Sequence, residues 1–543
     1  MIVSKIVSSL EKAFINDTPD KFETLERISA LKGERVSFQL LCYDDPSLDE
    51  KKHVFITHKV EVTGELSKYS RLREVKYVPV VKPVSIEHDE NYISTKPGLY
   101  PDILSPMTRG CYFNASIEMM TSVWVDLDLP SGMSEVGESE LTLTVTDTKN
   151  NLKVAECKLT VDIIDAILPE QKLLVTQWLS FNSLWRYHNV KPFGEEFYRI
   201  LEENIRIAAK NGMNTLFLFA FLGTVKITRR NGEYSFSYKR LERVMAIAKK
   251  YGIRRFEVDH LFSAGNAEKA SGVRIVENGE ETVKFRGESA TSPEYTKFLR
   301  AFLKSLIRYM KRKGEDKNLI FHIADEPAKD KIESFRAAKA TVADILEGYM
   351  IIDALFDIEY YKEGLVTNPV PINGSIQPFL DAGVPDLWTY YCCGPQAKYS
   401  NRFISMYSAQ NRSLGMQLYK YKLYGFLHWG FCYYMNESTS ADLNPYLDNS
   451  GENWVSGGDT FLVYPTNHGE VLESLRLLVF HDALQDMRAM QLCESLYSHE
   501  TVVSAIEEEF GGEVRFDTCA YDGRVILRIR ERINEMIKKA IAK

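Results

Sequence analysis

The chain has 543 residues, of which 45% are hydrophobic and 26% charged, with a formal net charge of −8. This composition is globular; it excludes a collagenous, coiled-coil or disordered chain, and the acidic balance argues against a nucleic-acid partner. At roughly 100–200 residues per domain the length corresponds to about three domains, or one large barrel with a companion.

From the N-terminus, Met1-Ile2-Val3-Ser4-Lys5 leads to Glu11, Lys12 and Asp17 without the basic and apolar regions of a secretory signal. No segment reaches the roughly 18 apolar residues of a membrane span. The longest, Thr215 to Val225, is interrupted by Gly223. The expectation is a cytoplasmic chain without a membrane partner, its eight scattered cysteines reduced. Residues 34–42, 54–62, 122–129, 141–145 and 152–163 alternate polar with apolar, separated by turn signals such as Leu129-Pro-Ser-Gly132. That spacing predicts an antiparallel β-sandwich over residues 1–168.

From Lys172 the rhythm changes. Apolar strands are predicted at 173–178, 215–220, 255–259, 318–324, 350–355, 386–392 and 425–433. Helical patterns lie between them at 195–209, 238–250, 293–313, 331–346 and 405–421, several ending at glycine. Repeated strand–helix units with near-continuously apolar strands predict a (β/α)8, TIM-like barrel over residues 169–495, so the fold class is α/β. An open doubly wound sheet is the alternative, but no glycine-rich turn follows the first strand. Residues 496–543 predict a helical extension packed on the barrel.

In such barrels the chemistry sits at the C-terminal strand ends. Those ends carry Gln177-Trp178, Glu257-Val-Asp259-His260, His322-Ile-Ala-Asp325-Glu326-Pro327, Trp388-Thr-Tyr390-Tyr391-Cys-Cys393 and His428-Trp429. The sharpest signal is Asp325-Glu326-Pro327. Adjacent residues of a regular strand face opposite sides, but at a terminus the chain leaves the pleat and both carboxylates can enter one cavity. The same pair also suits a helix N-terminus, and a helical pattern begins just beyond. Trp178, Trp388 and Trp429 suit stacking on the C–H face of a sugar, and equally suit a barrel core. His260, His322 and His428 form no HExxH or close His pair, so they read as hydrogen-bonding groups, with no metal and no cofactor expected. Cys392-Cys393 reads as buried small residues.

Four stretches together resemble glycoside hydrolase family 123 and its wider relatives: 30–39, 322–327, 412–429, and 458–465 followed by 474–477 and 482–486. The resemblance implies a β-sandwich on a (β/α)8 barrel and an exo-acting β-N-acetylgalactosaminidase-type activity on an oligosaccharide or glycoside. It implies substrate-assisted retention, with Glu326 as general acid/base and Asp325 holding the 2-acetamido N–H. Tyr390 or Tyr391 would donate to the acetamido oxygen. Trp429, with Trp178 second, would floor the sugar. His260, His322 and Trp388 complete the expected substrate-binding set. A glycosidase for a non-acetamido sugar would need a separate nucleophile, such as Asp259, Asp357 or Glu437, and a non-catalytic carbohydrate-binding protein is the third reading. The sequence leaves the oligomeric state open, a homo-oligomer included.

Overall fold

The computed structural model describes residues 2–48, 55–86, 88–107 and 110–542. Ahead of residue 168 lie two five-stranded sheets. One has the order Ile2–Ser8, Arg35–Asp44, Met120–Asp128, Ser70–Val80, Gly98–Pro106; the other Arg27–Lys32, Leu152–Ile167, Gly137–Asp147, Phe55–Thr63, Tyr112–Ser116. Alternate residues of both sheets, such as Phe38, Val123 and Val125 with Leu141, Leu143 and Leu159, share one apolar core, as facing sheets require. The strand expected at 54–62 starts at Phe55; Val54 lies outside the described residues.

Eight parallel strands follow: β1 (Leu174–Gln177), β2 (Thr215–Phe217), β3 (Arg255–His260), β4 (Leu319–His322), β5 (Met350–Leu355), β6 (Asn368–Pro371), β7 (Trp388–Tyr390) and β8 (Gly425–His428). Their order is β6-β5-β4-β3-β2-β1-β8-β7. The helices α1 (Glu195–Lys210), α2 (Lys239–Lys250), α3 (Pro293–Lys313) and α4 (Ile332–Ala340) follow β1 to β4 in turn. Local chemistry sets their ends. In α3 the Ser292 side chain accepts from Tyr295 N–H, Pro293 opens the first turn, Lys311, Arg312 and Lys313 occupy the last, and Gly314 closes it at φ 69°. The long α5 (Leu475–Leu496) and then α6 (His499–Phe510) and α7 (Gly523–Ile541) complete the chain.

The expected fold class needs correction on two counts. The sheet is a nearly closed parallel barrel of TIM-like α/β type, not a regular closed (β/α)8 barrel. Between β6 and β7 the ladder is reduced to one isolated bridge, Ile372 to Tyr390. The reason lies in Asn368-Pro-Val-Pro371. Ile372 N–H bonds Leu355 on the β5 side, so by alternation residues 369 and 371 face β7, and both are prolines with no N–H to give. Those prolines also hid β6 from the periodicity. The helical layer is irregular too: only Glu359–Lys362 follows β5 and Gln377–Asp381 follows β6, and a separate four-stranded sheet (residues 226–230, 233–237, 273–277 and 280–284) grows from the loops after β2 and β3. The second count concerns the sandwich, which is not wholly antiparallel: Arg27–Lys32 pairs with Leu152–Ile167 in parallel.

The helix expected at 331–346 breaks after Ala340, where the Thr341 hydroxyl bonds back to Ala338 O. Among the described residues no helix is long and apolar enough to cross a membrane.

Candidate active site

β4 ends at His322, and the chain then turns through Asp325 and Glu326. Glu326 has φ 46°, a left-handed conformation that costs a non-glycine residue on the order of 1 kcal/mol or more. This turn takes both acids out of the pleat. Asp325 O accepts from Gly265 N–H at 2.7 Å and Ala328 N–H bonds Gly265 O at 2.9 Å, so the loop after β3 locks the turn from one side. Beneath it, buried Asp353 of β5 accepts the N–H groups of Ile323 (2.9 Å) and Ala324 (3.2 Å). Burial raises this carboxyl well above the usual carboxylate range.

The two acid side chains have different neighbours. Asp325 lies 3.8 Å from Nε2 of His260 and is 32% exposed. Burial first, and the Glu326 charge second, push it up to about 7, against a smaller opposing pull from His322. Glu326 accepts a 2.5 Å hydrogen bond from Tyr390 OH. Burial and that carboxylate together hold the Tyr390 phenol well above its ordinary range, as a neutral donor.

A buried relay flanks Asp325. Glu257 Oε2 receives Trp178 Nε1–H at 3.1 Å and faces His322 Nε2 at 2.8 Å. The Trp178 ring stands edge-on to His260, centroids 5.2 Å apart, and His260 lies 4.6 Å from His322. Burial and His322 drive His260 well below the ordinary imidazole range, so it stays neutral.

On another side, Trp429 donates to Asp459 Oδ2 at 3.1 Å and packs against Tyr433 (5.1 Å) and half-exposed Trp454 (5.5 Å). His428 stands behind it. Its Nδ1 faces two donors, Arg402 Nη2 and Gly430 N–H, so Nε2 carries the proton and points to Asp459 Oδ1, 3.3 Å away. Burial and Arg402 lower His428 to about 3.

Among the sequence candidates, then, Asp325, Glu326, Trp178, His260 and Tyr390 gather at the C-terminal strand ends, with Trp429 in the neighbouring aromatic group; His322, 1% exposed, stands behind His260 on Glu257 and reaches the site only through them. Two expectations are corrected. Trp388, 0% exposed, opens β7 at the N-terminal end and fills the barrel floor against Gly425. Tyr391, also 0% exposed, falls on the opposite face of the strand from Tyr390 and packs edge-on to Phe426 and His428. Neither can touch a ligand in the mouth.

The three alternative nucleophiles are engaged. Asp259 is buried and accepts the N–H groups of Ala220 and Phe221. Asp357 bonds Glu359 N–H and pairs with Lys329. Glu437 accepts from Tyr433 OH.

Sequence reasoning missed the parts played by Glu257, Asp353, Arg402 and Asp459. An acid inside the apolar strand Met350–Leu355 was a readable signal for Asp353. Arg402 and Asp459 lie in loops, where no periodicity marks them.

Residues 178–493 match the family described as Glycoside hydrolase 123, catalytic domain. Among solved structures, the chain is similar to a family 123 glycoside hydrolase from Clostridium perfringens studied for glycolipid glycan hydrolysis. The two are 13% identical with a TM-score of 0.75, over 100% of this chain and 99% of that one, a likeness that shows the fold. β-Glucuronidases from Parabacteroides merdae (8% identity, TM-score 0.31, 90% of this chain and 51% of that) and Ruminococcus gnavus (9%, 0.33, 83% and 89%) are too distant to bear on function. No curated protein matches the chain.

Proposed function

Because the chain belongs to glycoside hydrolase family 123, and its substrate is therefore a carbohydrate, we propose that it removes a terminal β-linked 2-acetamido sugar of the N-acetylgalactosamine type, exo-acting and with retention. In this reading the substrate's own acetamido oxygen attacks C1, and Glu326 protonates the departing glycosidic oxygen. Asp325 accepts the acetamido N–H and balances the charge of the cyclised intermediate. Glu326, now a carboxylate, then takes a proton from the water that opens it. The acetamido nitrogen and the glycosidic oxygen sit on neighbouring ring carbons, which is why two consecutive residues serve them. Tyr390 holds the Glu326 carboxyl in place, and Trp178 beside His260 offers a wall to the sugar ring.

One observation carries the reading: the acids at the end of β4 are adjacent and diverge to different partners, Asp325 toward His260 and Glu326 toward Tyr390.

The test is release of chromophore from an aryl β-N-acetylgalactosaminide. Glu326→Gln is expected to lower kcat by about 10²–10⁴-fold with the fold retained, and a thiazoline mimic of the cyclised intermediate is expected to inhibit. Turnover of aryl glycosides lacking the acetamido group, with no turnover of those bearing it, would overturn the reading.

A further inference from the structure

β7 leads from Tyr390, the partner of Glu326, directly into Cys392 and Cys393. Their sulfurs lie 3.6 Å apart, too far for a disulfide bond of about 2 Å. The separation is close to what one soft atom bonded to both would span, since bonds of about 2.3 Å meeting near the tetrahedral angle subtend roughly 3.7 Å. The backbone fixes this arrangement. Cys392 N–H bonds Gly394 O at 2.8 Å, and Asn401 Nδ2 ties Cys392 O and Pro395 O, each at 2.9 Å. Cys393 is exposed, whereas Cys392 is half-buried against the inner-barrel cluster that contains Tyr390 and Leu427.

The pair differs from the other cysteines. Cys42, Cys432, Cys493 and Cys519 are buried, and Cys111 and Cys157 are only partly accessible. The pair lies two and three residues beyond Tyr390, past the C-terminal end of β7, and Cys392 packs on the cluster that holds Tyr390, so it sits at the strand-end face that carries Glu326. Cys393 is the exposed member, so a reagent meets it first, and its hydrogen bond with Cys392 holds its thiol below the ordinary value. Among the described residues no group of three or more His, Cys, Asp or Glu is placed to hold a metal ion, so an electrophile that brings its own third bond suits two sulfurs better than a bare ion.

We propose that Cys392 and Cys393 form a vicinal dithiol site for monosubstituted trivalent arsenicals at the rim of the sugar pocket, and that occupying it blocks hydrolysis. In the step, each thiol gives its proton to one of the two arsenic-bound hydroxyls. Two As–S bonds form, two As–O bonds break, two waters leave, and arsenic stays trivalent. The bridged group shares space with Tyr390 and shifts its hydroxyl away from Glu326. A displacement of about 1 Å there is worth roughly 10²-fold in rate.

The blocking half rests on the proposed hydrolase reading; the binding half does not. The experiment treats the native full chain with one equivalent of phenylarsine oxide and reads intact mass. Wild type is expected to take a single adduct, released by 2,3-dimercaptopropanol and not by 2-mercaptoethanol. Cys393→Ser and Cys393→Ala, at the exposed member, are expected to take none, and Cys111→Ser is expected to behave as wild type. Absence of an adduct in wild type, or its persistence in both Cys393 variants, would overturn the site. On the aryl 2-acetamido glycoside the adduct is expected to lower turnover by roughly 10²-fold, with the Cys393 variants insensitive. An adduct that leaves turnover unchanged would overturn its place at the pocket. If untreated protein cleaves no glycoside, the hydrolase reading fails while the mass measurement still decides the site.

Discussion

Asp325 shows how far one carboxyl's surroundings can set its behaviour. Its ordinary value near 3.8 is raised to about 7 by burial and by Glu326. The folded protein therefore binds this proton more tightly than the unfolded chain does. The resulting stabilisation is complete below about pH 4 and is lost as pH rises through about 7. Asp325→Asn removes that dependence. Denaturant melts should show the variant gaining on wild type by roughly 1 kcal/mol between about pH 5 and pH 8, after allowance for solvent screening of a partly open group. Activity should run the other way. If the anion holds the acetamido N–H, kcat/KM of wild type rises with pH through about 7, and this limb is absent from Asp325→Asn. A limb that survives the substitution would assign the titration to another group.

At the scale of elements, β7 and β8 show how alternation sorts aromatic residues. Trp388 and Tyr390 point into the barrel and Tyr391 points out, so a run that reads uniformly aromatic in sequence divides into floor, site and outer core. Trp388 fits because Gly425 faces it across the sheet: a Cβ on Gly425 would lie 2.2 Å from Trp388 Cδ2. Gly425→Ala is expected to destabilise by about 1–3 kcal/mol through overpacking, read as a lower denaturant midpoint. Trp388→Phe in the same chain should recover part of the loss, because the smaller ring frees the contested volume. The seam between β6 and β7 belongs to this scale too, since two prolines replace a row of donors.

Over the whole molecule, buried ion pairs join the N-terminal sheets to the barrel. Arg476 at the start of α5 grips Asp102 with two bonds of 2.9 and 2.8 Å, both side chains almost fully buried. Tyr464 OH also bonds Asp102 at 2.6 Å. The remaining Arg476 nitrogen donates to the carbonyls of Gly458 and Phe461, which flank the segment carrying Asp459, the partner of Trp429. A second cluster sets Arg71 and Arg73 between Asp126 and Glu473. Arg476→Met strands a buried carboxylate and is expected to cost about 3–5 kcal/mol, measured by denaturant unfolding. Turnover should fall with it at temperatures where the chain is still folded, since the Asp459 segment loses two of its ties. Undiminished activity would separate this anchor from the site.

The sequence by itself carried the parallel α/β rhythm, because buried parallel strands must be apolar and their helices amphipathic. It also carried the acid pair at the end of β4, because Asp325-Glu326-Pro327 interrupts an apolar run where barrel chemistry belongs. Tertiary structure alone decided that Tyr390 meets Glu326 while Trp388 and Tyr391 are buried, that Asp353 holds the turn after β4 and Glu257 joins Trp178 to His322, that the β6–β7 ladder shrinks to one bridge, and that the thiols of Cys392 and Cys393 lie side by side. These outcomes depend on side-chain direction and on partners hundreds of residues away in the chain. Local periodicity encodes which faces are buried, but not what each buried polar atom bonds to.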